Sequence, residues 1–135
     1  MSLGGNDGTN PQIPDGLMHE LVVELDGEDA PFANSMERDL ELKWMEDDES
    51  RLGFTRFEFD HNEIYRRRRL GVPPGKVTIA LNPILKDDPA LFRHTLAHEI
   101  LHAAGLLDHD DLHARIVGKV APAPKLRDSP VLMRL

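Results

Sequence analysis

The stretch Asp88–Gly105, DPALFRHTLAHEILHAAG, decides how this chain is read. Asp88 can accept from the free N–H groups of a first helical turn, and Pro89 suits the first helical position because its missing N–H costs nothing there. Ala90–Ala104 contains no breaker, and Gly105 can adopt the left-handed conformation that ends a helix. The sequence therefore predicts a helix over Ala90–Ala104. Inside it runs His98-Glu99-Ile100-Leu101-His102. Helix positions four apart differ by about 40° in direction and ~6 Å along the axis. Both imidazoles thus lean to one side and can bind one ion at ~2.0–2.1 Å. Glu99 lies about 100° round from His98, poorly placed as a third ligand but able to reach a water on the same ion. That pattern serves metal-assisted hydrolysis. The metal polarises a carbonyl and acidifies the water, and the carboxylate passes the water's proton to the leaving amine.

A catalytic zinc takes three protein ligands, so one more must come from elsewhere. Histidine numbers seven, and five of these (His94, His98, His102, His109 and His113) fall within twenty residues. No glutamate follows Glu99, which leaves Asp108, His109, Asp110, Asp111 and His113 as candidates. His94 lies one turn before His98 and reads as a half-exposed histidine on the sheet-facing side. His19 and His61 have no spacing relation to the motif and read as surface residues.

Upstream of the helix, Lys76–Leu81 (KVTIAL) alternates, with Val77, Ile79 and Leu81 on one face of a strand. Asn82–Pro83 ends it, and Gly71–Gly75 (GVPPG) supplies a reversal before it. Leu52–Phe59 and Glu63–Leu70 read as two more strands, giving a small antiparallel or mixed three-stranded sheet. Asn34–Arg51 reads as a helix, because Met36, Leu40 and Trp44 recur at four-residue spacing. Leu17–Leu25 is apolar and fits either a strand or a helix. Downstream, Asp110–Val120 forms a further short helix with acids at its positive end. The expected class is α+β: a three-stranded sheet against an N-terminal helix and the H-E-x-x-H helix, with strand Lys76–Leu81 bordering a cleft. A leader occupies residues 1–16, the domain 17–120 and a Pro-rich tail 121–135, whose apolar last residues are expected to dock.

The composition narrows the function classes. With 135 residues the chain is one domain able to bury a core. It has no cysteine, which excludes a disulfide scaffold, a cysteine-based zinc ribbon and a thiol nucleophile. No apolar run approaches the ~18–20 residues of a membrane span, so no membrane partner is expected and the location is read as cytoplasmic. Lys plus Arg is 16 against Asp plus Glu 24, a formal charge of −8 that disfavours non-specific binding along nucleic acid. Arg66–Arg69 is a local exception. On a strand only alternate arginines would share a face, and the plainer reading is a solvated edge.

Two family resemblances attach to these residues. His98-Glu99-x-x-His102-x-x-Gly105-x-x-Asp108 resembles the metzincin pattern in its version with Asp as final ligand. More of the chain, roughly Gly75–His113, resembles the SprT-like and WLM-type minimal zincins. There, a strand like Val77-Thr78-Ile79-Ala80-Leu81-Asn82-Pro83 leads into a helix like Thr95-Leu96-Ala97-His98-Glu99-Ile100-Leu101-His102-Ala103, and a later histidine completes the site. That resemblance implies a Zn2+ metallopeptidase acting on a peptide or protein. It implies His98, His102 and His109 as ligands, Glu99 as general acid/base, and Asp108 as the alternative third ligand or a helix cap. It also implies proximity to DNA, with Arg66, Arg67, Arg68 and Arg69 as the contact. Tyr65 or an arginine is a candidate to stabilise a tetrahedral oxyanion. Two rivals stand beside it. One is a metal-dependent endoribonuclease similar to the YbeY family, whose third-histidine position is filled here by Asp108. The other is a non-catalytic zincin-like module in which metal only holds the fold.

Overall fold

Strand pairing sets the architecture. The computed structural model describes residues 9–46 and 50–135. Strands β1 (Leu40–Trp44), β2 (Gly53–Phe57) and β3 (Val77–Leu81) form one mixed sheet in the order β1-β3-β2. β3 is central: it runs parallel to β1, with Leu42 opposite Ile79, and antiparallel to β2, with Thr55 also opposite Ile79. Its alternation is the one the sequence predicts, and Val77, Ile79 and Leu81 are all buried. The strand expected to border a cleft is therefore interior, and β2 forms the sheet edge in its place.

Among the described residues six α-helices complete the α+β fold: α1 (Leu17–Leu25), α2 (Met36–Asp39), α3 (His61–Leu70), α4 (Pro89–Ala103), α5 (Asp111–Val120) and α6 (Pro130–Arg134). α4 packs across β2 and β3, while α1 and α5 pack on α4. Leu17, Leu21 and Leu25, one turn apart, give α1 the buried stripe of a helix. The core runs between these helices and the sheet, with Leu96, Ile100, Leu101 and Ile116 fully buried in it. α4 begins and ends as its sequence dictates. Asp88 Oδ1 accepts from Leu91 N at 3.1 Å, and Gly105 has φ 105°.

Two expected elements are replaced. The helix over Asn34–Arg51 is only the single-turn α2, after which the chain becomes β1. Leu40 and Trp44 fit a four-residue period, but Leu40, Leu42 and Trp44 fit a period of two equally well, and pairing with β3 selects the strand. Residues 47–49 of that expected helix lie outside the described residues. The strand over Glu63–Leu70 is helix α3 instead. Asp60 caps it by accepting from Glu63 N at 2.9 Å, Glu63 pairs with Arg66 and Arg67 one turn on, and Gly71 ends it at φ 70°. Arginine is a strong helix former, and these local terms outweigh the apolar ends of the segment.

Both termini dock where they are described. Within the segment read as a leader, Thr9 O accepts from Trp44 Nε1 at 3.0 Å and Ile13 packs on the core. The tail ends in α6, with Val131 and Ser129 fully buried. It rests on the 3-10 turn Pro83–Asp87 and on Asp88, and none of its residues lines the cleft described below.

Candidate metal centre

α4 presents His98 and His102 on one side, with ring centroids 5.0 Å apart. The chain leaves α4 through the Gly105 turn, passes Leu106–His109, and re-enters a helix at Asp110. Asp110 Oδ1 caps α5 by accepting from His113 N at 3.0 Å. The short link between the two helices brings His109 and His113 back to the motif. His109 Nε2 stands 3.0 Å from His102 Nε2 and 3.0 Å from His98 Nε2. The His113 ring lies 4.5 Å from that of His98 and 4.7 Å from that of His102. Ligand atoms of His98, His102 and His113 also fall within 4.8 Å of one another. Four imidazoles thus share one site, and the group formed by His98, His102 and His113 can hold a metal ion.

Proton bookkeeping tests whether an ion fits. A neutral imidazole carries one ring proton. His102 Nδ1 lies 2.8 Å from Leu106 O, a carbonyl that can only accept, so His102 carries its proton there and its Nε2 is bare. His109 Nε2 can donate to one neighbour at most. No arrangement of neutral tautomers therefore satisfies both 3.0 Å contacts, whereas a cation between the three nitrogens satisfies all of them. Two of the rings, His98 and His113, are pushed toward the neutral form. Burial, reinforced by the surrounding histidines His113, His102, His109 and His94, lowers the His98 pKa to about 4. Burial also lowers that of His113, against the opposing effect of its hydrogen bond to the His98 carbonyl. Nitrogen donors of this kind suit zinc and its first-row neighbours, and neutral imidazole is the ligating form.

Glu99 is 7% exposed and occupies the position its helical offset predicts. Its Oε2 lies 4.0 Å from His98 Nε2. Its Oε1 accepts from Thr55 Oγ1 on β2 at 2.7 Å. Gly53 favours that reach. A Cβ there would stand 3.0 Å from Thr95 Cγ2 of α4, tighter than ordinary contact, so glycine eases the close approach of strand and helix. Thr55 carried no signal in the sequence, because nothing in the order of residues shows that β2 crosses α4 at Glu99.

The remaining site candidates separate cleanly. Asp108 is exposed, and no hydrogen bond or ion pair among the described residues joins it to the histidines. Asp110 is a helix cap. His94 Nδ1–H donates to Ala121 O at 2.9 Å, a satisfied structural contact. Tyr65 and His61, with rings 5.1 Å apart on α3, line the same cleft as His98, Glu99, His102 and His109. His61, read from the sequence as an isolated surface residue, is brought there by the helix that replaced the expected strand. The cleft has a volume of about 660 Å³, and β2 forms one wall.

Of the four arginines, Arg66 and Arg67 pair with Glu63, Arg67 also covers the Phe59 ring, and Arg68 binds the Gly105 carbonyl. Arg69 is exposed. No helix among the described residues is long and apolar enough to cross a membrane. Comparison with known protein families, characterised proteins and solved structures returns no match.

Proposed function

We propose that this chain is a zinc-dependent metallopeptidase of minimal zincin type, with His98, His102 and His109 as ligands and Glu99 as general acid/base. One observation carries the reading: His109 Nε2 stands 3.0 Å from both His98 Nε2 and His102 Nε2, beside a buried carboxylate, on the wall of an open cleft. Tetrahedral bonds of ~2.0–2.1 Å place ligand nitrogens ~3.3 Å apart, close to this spacing. His113 stays a further candidate ligand: its Nε2 donates to the His98 backbone carbonyl at 3.0 Å, which ties α5 to α4 and leaves its Nδ1 bare.

When bound, zinc supplies Lewis-acid polarisation of the scissile carbonyl and lowers the pKa of water. Glu99 takes the proton of the attacking water and delivers it to the leaving amine. Thr55 keeps the carboxylate aimed while this happens. Among the described residues β2 pairs only with β3, so its outer edge offers backbone groups to an extended peptide laid along the cleft. A buried carboxylate beside the ligands favours peptide hydrolysis over the endoribonuclease reading, which has no need of a proton shuttle at that position.

One assay separates the three readings. Zinc-reconstituted protein should cleave casein, should stop when a chelator is added, and should leave structured RNA intact. RNA cleavage without caseinolysis would favour the nuclease. Stoichiometric zinc with neither activity would favour the non-catalytic module.

A further inference from the structure

Three consecutive carbonyls leave the end of α4, and each has a donor from a different part of the chain. Phe32 N–H donates to Ala104 O at 3.0 Å, Arg68 Nε–H to Gly105 O at 2.8 Å, and His102 Nδ1–H to Leu106 O at 2.8 Å. The turn is also backed by Pro31, whose Cδ would stand 3.0 Å from a Cβ at Gly105. Arg68 does more than fill one carbonyl. Its Nη2 lies 3.1 Å from both the backbone oxygen and Oδ2 of Asp29, in the segment that goes on to supply the Phe32 N–H. A single planar guanidinium on α3 therefore ties the segment before Phe32 to the turn after α4.

We propose that Arg68 is a positioning residue for the metal centre. By holding Gly105 O it fixes the turn whose next carbonyl, Leu106 O, keeps the proton of His102 on Nδ1 and leaves Nε2 free to ligate. The same turn delivers His109, four residues on, to within 3.0 Å of both partners. Arg68 touches neither ligand nor substrate, so its effect passes entirely through the turn. This inference rests on the metal site proposed above. Geometry also says which contact matters. The Asp29 side chain is 79% exposed, so its ion pair contributes little, whereas the Gly105 carbonyl faces a half-buried guanidinium. Lysine, a point charge on a flexible stem, cannot span the carbonyl and Asp29 together.

The test uses the full chain. Zinc dissociation constants are measured by competition with a chromophoric chelator for the wild type, Arg68→Ala, Arg68→Lys and Arg69→Ala. The metal-free melting temperature of each is recorded, and the His102 tautomer is read from its ring nitrogen NMR shifts. Arg68→Ala should weaken zinc binding by about 10–100-fold, the range for loss of an outer-shell partner. It should also mix the His102 tautomers. Arg68→Lys should restore melting more than it restores affinity, and Arg69→Ala should match the wild type. Should Arg68→Ala fail to fold, Arg68→Lys carries the same comparison. Wild-type affinity and an unmixed Nδ1–H tautomer in the Arg68 variants would overturn the inference while leaving the metal site standing. A wild type that binds no zinc would instead overturn the site itself, and the tautomer comparison would still decide the role of Arg68.

Discussion

Thr55 Oγ1 on the edge strand donates to Glu99 Oε1 on the H-E-x-x-H helix across 2.7 Å, and this bond joins the sheet to the proposed general base. It leaves Oε2 as the oxygen beside His98 Nε2. Thr55→Val keeps the shape of the side chain and removes the donor. Hydrogen bonds to charged groups contribute about 1.5–3 kcal/mol, and about 1.4 kcal/mol is tenfold in rate. Steady-state kinetics on a peptide should show kcat falling roughly 10–100-fold, with KM and zinc content unchanged. A matching loss of zinc would make Thr55 a support of the metal site and not of the carboxylate.

The two candidate third ligands are adjacent in sequence but not in environment. Both are exposed, but His109 reaches both motif histidines, whereas no hydrogen bond or ion pair among the described residues joins Asp108 to them. His109→Ala should weaken zinc binding far more than Asp108→Ala, measured by competition with a chelator. The reverse order would restore the metzincin-like spacing as the working pattern.

The H-E-x-x-H helix was legible because its signals are local: a capping Asp, a Pro at the first turn, fifteen residues without a breaker and a glycine stop. The third ligand was not, since it depends on how sharply the chain returns after Gly105, and Asp108, His109 and His113 all lie within reach on paper. The carboxylate's partner was invisible for a related reason: Thr55 and Glu99 are 44 residues apart. Glu63–Leu70 reads as a strand in sequence although Asp60 and Glu63 spell the capping box with which α3 begins. β1 was misread because its partner lies 37 positions away, in Val77–Leu81. The sheet's strand count survived these errors; its membership and edge did not.

Asp88 gives the fold its acid sensitivity. Burial opposes its ionisation, but hydrogen bonds from Ser129, Leu91 N–H and Val131 N–H, with Arg134 nearby, outweigh that and hold its pKa below the ordinary 3.8. A carboxylate depressed on folding stabilises the fold above its unfolded pKa, and that stability is lost as pH falls through the folded value. The melting temperature should therefore drop on acidification below about pH 4, and Asp88→Asn should show a lower plateau and a shallower drop. Deletion after Lys125 removes the Ser129 and Val131 donors. It should lower the melting temperature by several degrees, since ~1 kcal/mol moves a domain of this size by about 2–8 °C. It should not raise peptidase activity, because the tail lies outside the cleft. Faster hydrolysis by the truncated protein would mean that the tail restrains the site after all.

Whether Glu99 handles a proton and not the metal is decided by one comparison. Zinc content and casein hydrolysis are measured on the same preparations of wild type and Glu99→Gln. The account predicts one zinc per chain in both and hydrolysis in the wild type alone. Loss of zinc together with activity in Glu99→Gln, or hydrolysis that survives the substitution, would contradict it.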